Sequence, residues 1–145
     1  MLVDKFNLAR FLVAQEGSYD LALNELRSGR KRSHWMWYDF PQPKGLGQST
    51  NSQLYGISGL AEARAYIRHP VIGKRLLEAI GALLVNPNSD AISILGELDA
   101  LKLKSCLTLF SVAQPSEKIF RIALDRLFDG HFDVRTLDLI KGQVG

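Results

Sequence analysis

One cysteine, three histidines and no long apolar run set the first limits on this chain of 145 residues. Cys106 has no second thiol to bridge to, so any core must hold itself together without a disulfide. The longest apolar stretches, such as Ile80 to Val85, fall far short of the roughly 20 residues that a membrane-crossing helix needs. Asp4 and Lys5 stand close to Met1, which is not the basic and then apolar layout of a secretory signal. A soluble cytoplasmic protein is therefore expected. His34, His69 and His131 are far apart and no Cys or His pair has metal-ligand spacing, so no metal site is expected. Gly45 and Gly47 lack the third glycine and preceding strand of a dinucleotide fingerprint, and neither a Gly-Lys-Ser/Thr phosphate loop nor a G-x-S-x-G nucleophile elbow occurs. No cofactor is expected. Cys106 falls on an apolar helical face, where a thiol is buried and inert.

What is present is ordinary globular material, 46% hydrophobic and 23% charged. A chain of this size buries roughly 70% of its unfolded surface. One domain over 1–145 is expected. Apolar residues recur at three- and four-residue spacing and almost nowhere alternate, which predicts an all-α fold. The pattern predicts a first helix from Phe6 capped by Asn7, and a second opened by Ser18 and stopped by Gly29. Helices over Leu60–Arg68, from Pro70 to Asn86 and Pro87, over Leu98–Val112, over Ser116–Phe128 and from Asp133 to Lys141 follow, with a brief turn capped by Ser89 or Asp90. The total is six to seven helices around a long aromatic and glycine-containing loop.

Charge is uneven. Residues 1–75 carry 11 Lys/Arg against 6 Asp/Glu, and residues 76–145 carry 7 against 9. Much of the excess is Arg27, Arg30, Lys31 and Arg32, at a helix end where cations suit the helix dipole. That local cluster does not make nucleic acid an expected partner, and no membrane partner is expected.

The least ordinary stretch runs from Lys31 to Gly56. It holds both tryptophans, His34, and Gly45 with Gly47. A loop of this length in a compact fold is either functional or held by its own side chains. Trp35, Met36, Trp37, Tyr38 and Phe40 are an aromatic plug between helices on one reading and a binding wall on the other.

The strings His34-Trp-Met-Trp37, Phe40-Pro-Gln42, Gly45-Leu-Gly47-x-Ser49 and Ser52-x-x-Tyr55-Gly-Ile57 resemble the bacterial uncharacterised domain family DUF 1810. Glu62-Ala-Arg-Ala-Tyr66, His69-Pro70, Gly73-x-Arg75-Leu and Asp99-x-x-Lys102-Leu-x-Ser105-x-x-Thr108-Leu-Phe110 extend the resemblance over nearly the whole chain. The resemblance implies an all-helical fold and brings no catalytic residues, cofactor or substrate. Some relatives carry the label calpastatin, but nothing here looks like a disordered polar protease inhibitor. Tyr38-Asp39 and Cys106-Leu107 depart from the family pattern, so Asp39 carries less weight as a functional residue.

The candidate ligand-binding residues are Lys31, His34, Trp37, Gln42, Ser49, Tyr55, Arg75, Lys102 and Ser105; no catalytic residue is assigned. Asp99, Lys102 and Ser105 lie a turn apart on one helix face, and such a stripe on an apolar helix must face a cavity or meet polar partners. Two readings follow. Aromatic walls with cationic donors make a pocket for a small anionic, nucleotide-like ligand. The same groups could instead lock the loop to the helices as a buried network. In the alternative role the chain is a protein-interaction module with the aromatic loop as its core or its binding surface. A hydrolase would draw on Glu62 and Asp99 as acids if the two met.

Overall fold

The computed structural model describes residues 3–86 and 90–143. Ten helices and no strand occur among them: α1 (Ala9–Gln15), α2 (Tyr19–Ser28), α3 (Met36–Asp39), α4 (Thr50–Tyr55), α5 (Leu60–Arg68), α6 (Ile72–Val85), α7 (Ala91–Leu95), α8 (Glu97–Ala113), α9 (Ile119–Phe128) and α10 (Val134–Ile140). The all-α expectation holds, but the count of six to seven is too low. The additional elements are α3, α4 and α7, of four, six and five residues. Segments of one turn or so show no periodicity to read, and they are held by tertiary packing.

The central element is α8. It is apolar on nearly every side, with Leu103, Cys106, Leu107, Leu109 and Phe110 all buried, which is the pattern of a helix enclosed by others. α5, α7, α9 and α10 pack around it, and α6 closes the far side against α2, α5 and α9. A row of rings crosses this core: Phe11 meets Tyr66 edge-on at 5.0 Å, Tyr66 meets Phe110 at 5.6 Å, and Phe110 stacks on Phe120 at 5.4 Å. No helix among the described residues is long and apolar enough to cross a membrane.

The helix stops follow the sequence closely. Gly29 takes φ +84° at the end of α2, and Asp133 caps α10 by accepting from Thr136 N at 2.9 Å. Asp90 caps α7, while Pro87 and Ser89 lie outside the described residues. Two caps differ. Asn7 sits in left-handed geometry, and the first helix is capped by Asp4, whose carboxylate accepts from Leu8 N at 2.6 Å and Ala9 N at 2.9 Å. Ser18 precedes α2 without capping it; its hydroxyl donates to Ala14 O.

Gly73 lets α6 cross close to the end of α5: a Cβ placed there would overlap the Ile67 carbonyl oxygen. Backbone cannot yield as a flexible side chain can. Replacing Gly73 by Ala should therefore destabilise the protein by about 2 kcal/mol or more through forced separation of the two helices, read as a lowered denaturation midpoint. An unchanged midpoint would show that the crossing relaxes freely.

Candidate functional site

The loop between α2 and α4 is built on one buried carboxylate. Glu25, on α2, accepts from Arg32 N at 2.8 Å, Ser33 N at 3.0 Å, Ser33 Oγ at 2.7 Å and Trp35 Nε1 at 3.0 Å. Burial pushes its pKa up, but the Ser33 hydroxyl, the Arg32 amide and the Trp35 indole outweigh it and hold the group down at about 2. Trp35 is thereby fixed in the core at 1% exposure, tilted against Phe40. The aromatic plug is thus Trp35 with Phe40. Trp37, two residues on and half-buried, faces a cleft instead.

That cleft has a volume of about 390 Å³ and is lined by Lys31, His34, Trp35, Met36, Trp37, Tyr38, Ser49, Thr50, Asn51, Asp99 and Lys102. Asp99, on the first turn of α8, is shared by two cations: Lys31 Nζ at 2.7 Å and Lys102 Nζ at 3.3 Å. Lys31 is further occupied, donating to Ser33 O at 2.5 Å and lying 5.1 Å over the Trp35 ring. Lys102 lies 5.6 Å over Trp37 and is one-third exposed. Two ammonium groups against one carboxylate leave the cleft with excess positive charge. Lys102 is the more exposed of the two cations.

Five of the nine candidates, Lys31, His34, Trp37, Ser49 and Lys102, line this cleft. Ser49 also caps α4, accepting from Ser52 N at 3.1 Å. Gln42 and Ser105 line an adjoining cavity of about 330 Å³ that shares Trp37 and Lys102 with the first. Both are buried, with Gln42 donating to Phe40 O and Ser105 to Leu101 O and Asp133 Oδ2. Tyr55 and Arg75 lie elsewhere. Tyr55 packs on Phe11 and Tyr38, while Arg75 rests over Tyr19 and donates to Gln15 Oε1 at 3.3 Å. Glu62 pairs with Arg10 at 2.7 Å and accepts from Ser58, at a separate cavity, so the two acids suggested for a hydrolase line different cavities. No group of three His, Cys, Asp or Glu that could hold a metal occurs among the described residues.

Sequence reasoning gave little weight to Asp39, and the structure sets it at the meeting of α1, α2, α3, α5 and α6. It is 3% exposed; Oδ2 receives a long 3.4 Å contact from Ser18 Oγ, and Oδ1 has no partner. Burial pushes its pKa up to about 7, with the Ser18 hydroxyl and Arg75 only partly opposing that. Around it, Gln15 Nε2 donates to Tyr38 O at 2.7 Å and to Tyr66 Oη at 3.1 Å, and Tyr19 donates to Glu78. The signal that could have found it is an acid placed immediately before a buried Phe-Pro pair.

The sequence model of a family described as "Protein of unknown function (DUF1810)" matches residues 5–140. The fold is similar to the crystal structure of the conserved hypothetical protein Rv1873 from Mycobacterium tuberculosis, with a TM-score of 0.94 and 42% identity over 97% of this chain and 100% of that one. No curated protein matches the chain.

The two buried acids respond to pH with opposite signs. Glu25 titrates lower folded than unfolded, so its contribution is complete above about pH 4.5 and is lost as pH falls toward 2. Glu25 to Gln should cost about 3 kcal/mol at pH 7, with the difference from wild type shrinking in denaturation curves taken below pH 4. Asp39 titrates higher folded than unfolded, so its ionisation costs nothing below about pH 3.8, and the cost grows to its full size near pH 7. Asp39 to Asn should stabilise the protein by as much as about 4 kcal/mol at pH 8 and hardly at all at pH 4. A gain independent of pH would refute the assignment of a buried charge.

Proposed function

We propose a function from the cleft itself, because the chain belongs to the DUF1810 family, whose description assigns no activity. The proposed role is binding of a small anionic, ring-containing ligand of nucleotide type. The observation that carries it is the Lys102 ammonium held 5.6 Å over the Trp37 ring beside a carboxylate that already serves Lys31. A ring can stack on the indole while its phosphate takes the ammonium that Asp99 holds only loosely. Cleft volume agrees with the 300 to 1,000 Å³ common for small-molecule sites. His34, exposed at the rim, adds a polar group beside the anion.

The two lysines have different tasks under this reading. Lys31 fixes Asp99 and Trp35, whereas Lys102 meets the ligand. Adenosine monophosphate at a hundredfold excess over its dissociation constant should stabilise the wild type by about 2.7 kcal/mol, seen as a raised melting temperature. Lys102 to Met should abolish that shift while changing the unliganded midpoint by less than about 1 kcal/mol, since its ion pair is partly exposed. Lys31 to Met should lower the unliganded midpoint. Absence of a shift with any nucleotide or sugar phosphate, together with unfolding of the Lys102 variant, would overturn the reading.

A further inference from the structure

α8 carries a second stripe that the core does not use. Leu98, Leu101, Lys102 and Ser105 fall at i, i+3, i+4 and i+7, one face of the helix, and that face looks onto the adjoining cavity. Leu98 is 75% and Leu101 58% exposed, although both belong to the central helix of the fold. Leu46 and Trp37 line the same cavity. Arg135 holds the rim by donating from Nη2 to Leu46 O at 3.0 Å. Asp133, the acid of this cavity, is occupied through Oδ2 by Ser105 Oγ, Thr136 N and Thr136 Oγ1. The groove thus has an apolar floor beside Lys102, Arg135 and Asp133, and it adjoins the cleft, with Trp37 and Lys102 lining both.

We infer that the two cavities form one bipartite site whose ligand is an amphipathic anion: a phosphate-bearing ring in the cleft joined to an apolar arm that lies over Leu98, Leu101 and Leu46. The inference rests on the proposed ligand-binding role of the cleft and specifies the class of ligand. Charge complementarity selects this occupant. Across the two cavities three cations, Lys31, Lys102 and Arg135, stand against two carboxylates, Asp99 and Asp133, so a neutral hydrocarbon leaves one positive charge unbalanced, and a nucleotide alone leaves the leucine floor wet. Each methylene moved from water onto that floor favours binding, so the arm adds affinity in proportion to its length. The anion must sit at the junction, where Lys102 reaches either compartment.

The test compares adenosine monophosphate with its hexyl phosphodiester by calorimetric titration of the wild type and of the Leu98→Gln/Leu101→Gln double variant. The hexyl ester should bind at least tenfold tighter than the parent to the wild type. In the double variant the two should bind alike, with affinity for the parent unchanged, because both leucines are exposed and their replacement leaves the core intact. Equal affinities in the wild type would overturn the bipartite site while leaving the cleft as a nucleotide site. Absence of binding by both compounds would overturn the cleft reading and this inference together. If the double variant instead changes the protein's mass in solution and leaves the hexyl advantage intact, the leucine floor is a protein interface and the inference is wrong.

Discussion

A single carboxylate organises the loop between α2 and α4, which walls the cleft. Glu25 gathers two amide N–H groups, a hydroxyl and an indole N–H within a stretch of four residues. Buried donors of that kind are costly when unmet, and a buried charge is costly when unpaired, so each side satisfies the other. The consequence is geometric. Once Trp35 is seated in the core, the one-turn helix α3 begins at a fixed point and orientation, and Trp37 and Tyr38 turn outward to wall the cleft. A four-residue helix has no stability of its own, so its position must come from its ends.

At the other end of α3 the arrangement is reversed. Asp39 is as buried as Glu25 but receives one long hydrogen bond, and Arg75, the nearest counter-charge, gives its own hydrogen bond to Gln15. The same residue type of chemistry therefore contributes stability at the start of α3 and consumes it at the end. Gln15 links the two halves of that cost, since it also holds Tyr38 O and the Tyr66 hydroxyl. Stability given up at a buried acid beside a cleft is what functional sites commonly show. Here the acid stands behind the cleft wall, where it can influence Tyr38 but lines no described part of the cleft itself.

The fold was readable where physics acts locally. α5 runs from Leu60 to Arg68 as expected because His69-Pro70 bars further helix, and α2 ends at Gly29 because the left-handed stop needs it. α3 and α4 were not readable, being too short to carry a period, and α7 was legible only as a brief turn capped at Asp90. Asp4 rather than Asn7 caps the first helix because capping depends on where the chain doubles back, which residue type alone does not specify. At the cleft, the stripe Asp99, Lys102 and Ser105 announced a polar face on an apolar helix, and the structure supplies its partners in Lys31, Trp37 and Asp133. Glu25 gave no such signal, since an acid on an amphipathic helix reads as solvent-facing and its partners are loop amides. Tyr55 and Arg75 stood in motifs of the same character as the cleft residues, yet they serve packing against Phe11 and Tyr19.

The distribution of charge around Asp99 explains why the cleft can be cationic without being unstable. A lysine pair facing each other across an empty cleft would repel, and burying either without a partner would cost several kcal/mol. Asp99 removes that cost for Lys31, which is 8% exposed and has a second partner in Ser33 O. Lys102 needs less help, because it remains one-third exposed and rests on the negative face of the Trp37 ring. The carboxylate therefore neutralises the buried cation and only tethers the exposed one. The anion proposed for this cleft would compete with a 3.3 Å ion pair and a ring face, both weak in partial solvent, and not with the shorter 2.7 Å pair. Under the proposed reading, binding charge at this cleft would disturb only the end of one side chain and leave the frame that Glu25 and Asp99 hold in place.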